Sequence, residues 1–465
     1  MSTLSAELMT VAPELTLMAL ACVVLVAEVF YAERYPRLSY WLSQATLVAV
    51  ALLCIALYPQ QPTTAFSDAF VSDGMSAVLK VFSALVVYFV FFYTRAYLEA
   101  RSMMRGEYFI LGLFAVLGMM VMVSARSLLT VYLGLELLSL SLYAMVALNR
   151  DSRTAAEAAM KYFVLGALAS GMLLYGMSLL YGVSGTLNLV ELGERLGREG
   201  EATNLVQILG LVFVVVGVAF KFGAVPFHMW VPDVYEGSPT AVTMFIGTAP
   251  KLAAFGMLIR LLVDGMSGLD HDWTQMLALM AVASMALGNI VAIAQTNLKR
   301  MLAYSTISHV GFIFLGVIAG TRDGYAASMF YVIAYALMSL GAFGMIVMLG
   351  RSGFEADRLD DFRGLARRGP WFALMMLLLM LSLAGMPPFL GFWAKWSVLR
   401  EVVAADVAWL AVVAVAFAVI GLFYYLRIIR LMYFDEPEEP AAVEVGSQMR
   451  VMISTNALLV LALGV

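Results

Sequence analysis

The sequence predicts an all-α polytopic membrane protein of about 14 transmembrane helices, with two inverted five-helix repeats and two broken helices. Three observations predict this class. Apolar runs long enough to cross a bilayer, roughly 17–25 residues each, recur along the whole chain. Two of these runs are interrupted by glycine–proline clusters, Gly223-Ala-Val-Pro226-Phe227 and Gly385-Met-Pro-Pro388-Phe389. The two clusters lie 162 residues apart (388 − 226), and the same offset carries the fourth span onto the ninth and the eighth onto the thirteenth.

In order, the runs fall at 11–30, 38–58, 75–94, 107–124, 127–148, 156–182, 204–232, 239–263, 272–294, 299–319, 324–349, 371–402, 407–434 and 449–465. The chain has 465 residues, of which 63% are hydrophobic and only 13% charged, and its mean hydropathy is +0.90. That is far more apolar than a soluble domain. The net charge of −4 carries no basic stripe of the kind that binds nucleic acid. Cys22 and Cys54 both fall inside apolar runs and read as packing residues, too few for a disulfide framework or a metal site. The first run contains Glu14 and Glu28 and has no basic stretch before it, so it reads as a retained helix, not a cleaved signal.

The arginines gather in loops after odd-numbered spans, for example Arg34, Arg101, Arg153, Arg363 and Arg367. By the positive-inside rule these loops are cytoplasmic and both termini lie on the outer face. The acidic stretch Asp435-Glu-Pro-Glu-Glu-Pro440 is then a solvated cytoplasmic loop. Four segments follow: three N-terminal helices over 1–106, a five-helix repeat over 107–263 broken at Pro226, an inverted five-helix repeat over 264–434 broken at Pro388, and a loop with the final helix over 435–465. Five crossings is an odd number, so the second copy is inverted relative to the first.

The breaks focus attention on the ionisable groups around them. Proline removes a backbone donor and clashes with the preceding turn, so a helix breaks there in mid-crossing. The freed polar groups are tolerated only where they line a protein-enclosed or watery cavity. Lys80, Lys161, Lys221, Lys251 and Lys395 all fall within predicted spans, while every arginine sits at a helix end or in a loop. A buried lysine can release its proton near neutral pH and arginine effectively cannot. This division therefore points to proton chemistry.

Glu136 lies ten residues beyond Arg126, about 15 Å into a core roughly 30 Å thick. A lone carboxylate there costs on the order of 2.5–3.5 kcal/mol, so it faces a partner or water. Lys221 precedes the first break, Lys395 follows the second, and Lys251 lies twelve residues beyond Pro239, near the same depth. Together with Glu136 they read as a row of titratable groups along the membrane plane. Lys161, one turn beyond Glu157, fits a local salt bridge or a relay position equally well. His228, two residues past Pro226, and the mid-span His309 are further relay candidates. Lys80 lies near a helix end and is expected to snorkel. No strand–glycine-turn–helix unit or P-loop is present, so neither NADH nor ATP has an evident site on this chain.

The runs Tyr132-Leu-Gly-Leu-Glu136, Ala159-Met-Lys161-Tyr-Phe, Lys221-Phe-Gly-Ala-Val-Pro226-Phe-His228-Met-Trp-Val-Pro232, Ala249-Pro-Lys251 and Gly385-Met-Pro-Pro-Phe-Leu-Gly-Phe-Trp-Ala-Lys395 resemble the antiporter-like subunits of respiratory complex I. Among these the resemblance is to the subunit N group of the bacterial proton-pumping NADH–quinone oxidoreductase, and it covers nearly the whole chain. It implies fourteen helices, an inner-membrane location and a proton relay at Glu136, Lys221, Lys251 and Lys395. It also implies that this chain carries no cofactor, with FMN, iron–sulfur clusters, NADH and quinone held by partner subunits. The implied partners are the other membrane-arm subunits, the peripheral arm and the lipid bilayer. The alternatives are a subunit of a multisubunit sodium/proton antiporter or membrane-bound hydrogenase, or a non-pumping membrane scaffold.

Overall fold

The computed structural model describes residues 3–196, 204–350, 354–437, 443 and 445–465. Among the described residues, twelve helices are long and apolar enough to cross a membrane. Two more elements complete the predicted spans. The twelfth is divided into Pro370–Ala384 and Leu390–Ala404, and the fourteenth is Ser447–Ala462. Residues 438–440 of the acidic loop lie outside the described residues.

The spans belong to two compact units. The first comprises Met1–Phe91, Met103–Lys221 and Ala249–Met276, and the second Phe92–Ser102, Phe222–Thr248 and Leu277–Val465.

In the first unit, the fourth span Gly106–Val123 and the fifth span Leu128–Val146 meet backbone to backbone. A Cβ on Gly118 would stand 2.6 Å from the Leu138 nitrogen and 2.7 Å from the Gly134 carbonyl oxygen, and one on Gly134 would stand 2.7 Å from the Met122 nitrogen. Between helices in lipid, close packing of small residues replaces the hydrophobic drive that water would provide. This contact fixes the helix that carries Glu136.

Two features of the first unit lie outside the predicted spans. A short helix, Thr3–Thr10, precedes the first span, and Thr63–Ala65 pairs antiparallel with Phe70–Ser72. The hairpin is tied to the end of the fourth span, since the Val71 amide donates to the Ser124 carbonyl at 2.8 Å. Arg126 pairs with Asp68 at 3.0 Å. Nearby, the buried Arg260 on a π-helical turn, Ile259–Asp264, binds Asp73 at 2.7 Å and Asp264 at 3.0 Å.

In the second unit, the loop after the eleventh span (Arg322–Leu349) is clamped by Glu355. Its carboxylate accepts from Tyr97 Oη at 2.7 Å, Thr240 Oγ1 at 2.7 Å and Arg101 Nε at 3.1 Å. Burial alone would raise its pKa, but the charge of Lys299, the hydroxyl donors and Arg101 outweigh burial and hold it below the ordinary 4.5. A depressed carboxylate contributes stability above its unfolded pKa, and that stability is lost as pH falls through the folded value.

Two predictions follow from this packing. Gly134→Val forces apart two backbones, which at about 1–3 kcal/mol or more lowers the melting temperature of the solubilised protein and its yield of assembled complex. Gly182→Ala, with nothing within 4 Å of the new methyl, changes neither. Glu355→Gln lowers the melting temperature at neutral pH, and the difference from the unsubstituted protein shrinks on acidification below about pH 4, read by differential scanning fluorimetry. A pH-independent difference would rule out the charged clamp.

Candidate functional site

The seventh span begins as the helix Leu205–Phe222 and stops where Gly223 takes a left-handed φ of 73°. Helix resumes at Trp230–Gly237. The Val225 amide, freed by the interruption, donates to Ser284 Oγ at 2.9 Å, as a break in an apolar bundle requires.

Lys221 lies at the C-terminal end of the first half, where a cation is favoured by the helix dipole. Its Nζ donates to Ser139 Oγ at 2.6 Å, and Ser139 in turn donates to the Leu135 carbonyl at 2.5 Å. Ser139 is three residues beyond Glu136 on the same helix. Glu136 and Lys221 make no direct contact, and a hydroxyl receives the lysine instead. Glu136 Oε1 is buried with no hydrogen-bond partner, while Leu129, Leu133 and Leu140 on the same helical face are exposed. Glu136, Ser139 and Lys221 form one cluster within the first unit. A serine at i+3 from a carboxylate is too common for sequence reading to have singled it out.

The eighth span was expected to be continuous, but it is interrupted. Helix runs over Thr240–Gly247 and again over Ala249–Leu258, with Thr248 between them in a non-helical conformation. Pro250 explains the interruption, because it cannot donate to the preceding turn. Thr248 Oγ1 donates to the Met244 carbonyl at 2.7 Å and so satisfies one of the orphaned acceptors. Lys251 is the third residue of the second helix and is 1% exposed.

The twelfth span repeats the pattern of the seventh. Pro370–Ala384 ends at Gly385, φ 83°, and Leu390–Ala404 follows. Lys395 reaches back across the break and donates to the carbonyls of Ala384 at 2.8 Å and Leu383 at 3.3 Å. These are acceptors that a helix C-terminus leaves without an internal donor. The Gly391 amide is satisfied by Ser382 Oγ at 3.1 Å. The Lys395 ammonium also stands 5.1 Å from the centre of the Phe312 ring.

His309 is buried in the same unit. Its Nδ1 lies 2.7 Å from Tyr331 Oη and its Nε2 3.2 Å from Tyr425 Oη. His228 is half-buried in the first break, and its Nδ1 has no hydrogen-bond partner. Lys161 is largely open on the helix surface and pairs with Glu157 at 3.0 Å.

Lys80 departs from the snorkelling expectation. It is 3% exposed and pairs at 2.6 Å with the buried Glu14. A partner 66 residues earlier in the chain (80 − 14) cannot be read from spacing along one helix. Among the described residues, no group of three or more His, Cys, Asp or Glu side chains is placed to hold a metal ion.

Residues 125–421 match the family model described as NADH:quinone oxidoreductase/Mrp antiporter, TM. The chain is 56% identical to NADH-quinone oxidoreductase subunit N of Thioalkalivibrio sulfidiphilus, over 99% of this chain and 96% of the relative. It is 57% identical to the subunit N of Nitrosomonas europaea, over 97% and 94%. Among solved structures, a chain of respiratory complex I from Thermus thermophilus with bound aureothin superposes with a TM-score of 0.82 at 33% identity, covering 97% of this chain and 96% of that one. A chain of the Mrp complex from a Dietzia species shares the fold at a TM-score of 0.86 and 22% identity, covering 98% of this chain and 94% of that one. The chain belongs to the NADH-quinone oxidoreductase subunit N family, within the wider antiporter-like membrane family of complex I.

Proposed function

We propose that this proton-translocating membrane subunit of complex I moves protons through a relay of Glu136, Lys221, Lys251 and Lys395, with His309, His228 and Lys161 as accessory positions. The observation that carries the proposal is the seat of each break-side lysine. Lys221 rests on a serine hydroxyl one helical turn from Glu136, and Lys395 rests on the carbonyls of a severed helix end. Both seats are neutral acceptors, so neither lysine is locked in a salt bridge by them. An ammonium held by neutral oxygens can give up its proton without stranding a bonded carboxylate, whereas breaking a buried ion pair costs about 3–5 kcal/mol.

In this reading, quinone reduction elsewhere in the complex alters the charge on Glu136. The neighbouring Lys221 then holds or releases its proton according to that charge. The proton passes on by way of Lys251 and Lys395. The corresponding turns at Gly223 and Gly385 also support two five-helix repeats built around the two breaks. NADH, FMN, iron–sulfur clusters and quinone are assigned to partner subunits, and the neighbours of this chain are other membrane-arm subunits. The basic loops support cytoplasmic exposure of the odd-span connections and periplasmic termini.

Arginine provides the decisive test, because it keeps the charge and stays protonated when buried. In inverted membrane vesicles, Lys221→Arg and Glu136→Gln each reduce NADH-driven acidification at least tenfold, while NADH–ferricyanide activity reports intact assembly. Ser139→Ala reduces acidification severalfold by removing the lysine's acceptor. Near-normal pumping by Lys221→Arg would falsify the relay role and leave the lysine a structural cation. For the orientation, a single cysteine at Arg363 in a background lacking Cys22 and Cys54 reacts with an impermeant maleimide from the cytoplasmic side, and one at Asp68 from the other. Labelling of both from one side would overturn the topology.

A further inference from the structure

His309 is the centre of a hydrogen-bonded chain that the relay of charged residues does not use. Three helices converge on it: Leu298–Ile318, Arg322–Leu349 and Ala408–Phe434. Tyr331 Oη lies 2.7 Å from Nδ1, Tyr425 Oη 3.2 Å from Nε2, and Ser305 Oγ 2.5 Å from Tyr425 Oη. All four side chains are buried, none more than 3% exposed. A neutral imidazole has one donor and one acceptor nitrogen. With hydroxyls on both nitrogens, one tyrosine must therefore donate to the ring while the other accepts from it.

We propose that Tyr331, His309, Tyr425 and Ser305 form a continuous proton wire, with the two tyrosines as its conducting hydroxyls. The proposal rests on the relay reading of His309 and extends it. A proton arriving at Ser305 Oγ displaces that hydroxyl's own proton to Tyr425 Oη, and Tyr425 passes its proton to Nε2. The proton on Nδ1 moves to Tyr331 Oη, whose own proton passes to an internal water on the far side. Each group ends neutral, one proton has crossed, and the imidazole has exchanged tautomers. Rotation of the hydroxyls and return of the tautomer reset the chain, and transport in the other direction uses the same steps reversed.

The surroundings give the wire its ends. Ser305 is one turn nearer than His309 to the start of its helix. At the other end the Tyr331 ring stacks on Phe312 at 6.1 Å and 6° between planes, and the Lys395 ammonium faces Phe312 at 5.1 Å. The lysine and the end of the hydroxyl chain thus share one aromatic neighbour. Tyr335 supplies an internal control. It is as buried as Tyr425, but its hydroxyl bonds Thr306 at 2.6 Å and not the imidazole.

The test uses the assembled complex in inverted vesicles, with NADH-driven acidification, quinone-linked NADH oxidation in H2O and D2O, and NADH–ferricyanide activity as the assembly control. Tyr425→Phe and Tyr331→Phe are expected to lower acidification at least fivefold and to raise the solvent isotope effect on NADH oxidation about twofold. Ser305→Ala, which removes a single oxygen and serves if a tyrosine variant fails to assemble, lowers acidification about threefold. Tyr335→Phe stays within twofold of the unsubstituted complex. If His309→Gln abolishes pumping while Tyr425→Phe, Tyr331→Phe and Ser305→Ala leave it within twofold, the wire is overturned and the imidazole alone remains. Normal pumping by His309→Gln overturns the relay reading of His309 as well. An equal loss in Tyr335→Phe assigns the effect to packing and also overturns the wire.

Discussion

The structure depends on one constraint: a backbone carbonyl or amide freed inside an apolar bundle must find a partner within the protein. The chain breaks its membrane helices at Gly223–Met229, at Thr248 and at Gly385–Phe389, and each break has a specific remedy. Ser284 takes the Val225 amide, Thr248 serves the Met244 carbonyl, and Lys395 serves Leu383 and Ala384. The last remedy matters most, because the group that completes the backbone bonding is itself ionisable. Loss of its proton leaves a neutral amine still able to donate, so the break need not collapse when the charge goes.

Within each unit, ion-paired arginines and the break-side lysine are given different partners. Arg260, Arg101 and Arg300 sit among carboxylates, in Arg260–Asp73, Arg101–Glu355 and Arg300–Asp233 pairs of 2.7–3.1 Å. They work as permanent fasteners of helix ends and loops. Lys221 and Lys395 are given neutral oxygens. Lys80, by contrast, is a lysine used as these arginines are, paired with Glu14 at 2.6 Å. It lies in the N-terminal helices, outside the region 125–421 shared with the wider antiporter-like family.

Much of this was legible in the sequence because it is written in local signals. Span lengths follow from runs of apolar residues, and the seventh and twelfth breaks follow from proline and glycine within such runs. The position of Glu136 follows from counting residues along a helix. What stayed hidden depends on contacts between distant segments. The Glu14 partner of Lys80, the tyrosines around His309 and the Glu355 clamp join residues that no periodicity relates. The hairpin at Thr63–Ser72 is too short to carry an alternation, and its turn residues Phe66, Ser67 and Asp68 take left-handed conformations without a glycine. The interruption of the eighth span was visible as Ala249-Pro250-Lys251, but it is a single proline without a glycine beside it, a weaker mark than the clusters at the other two breaks.

Gly385 does more than turn the chain. A methyl group there would stand 2.6 Å from Lys395 Cδ and 3.0 Å from Nζ, so the space that a side chain would fill is occupied by the lysine. Any other residue at this position has to tolerate a left-handed φ and also shift the lysine side chain that serves these carbonyls. Variation at one backbone position, ten residues before the lysine, would thereby register as a change in the lysine's affinity for its proton. In a set of natural variants, Gly385 and Lys395 should therefore be inherited as a unit, and a chain that gives up the lysine is freed to accept a side chain at the turn.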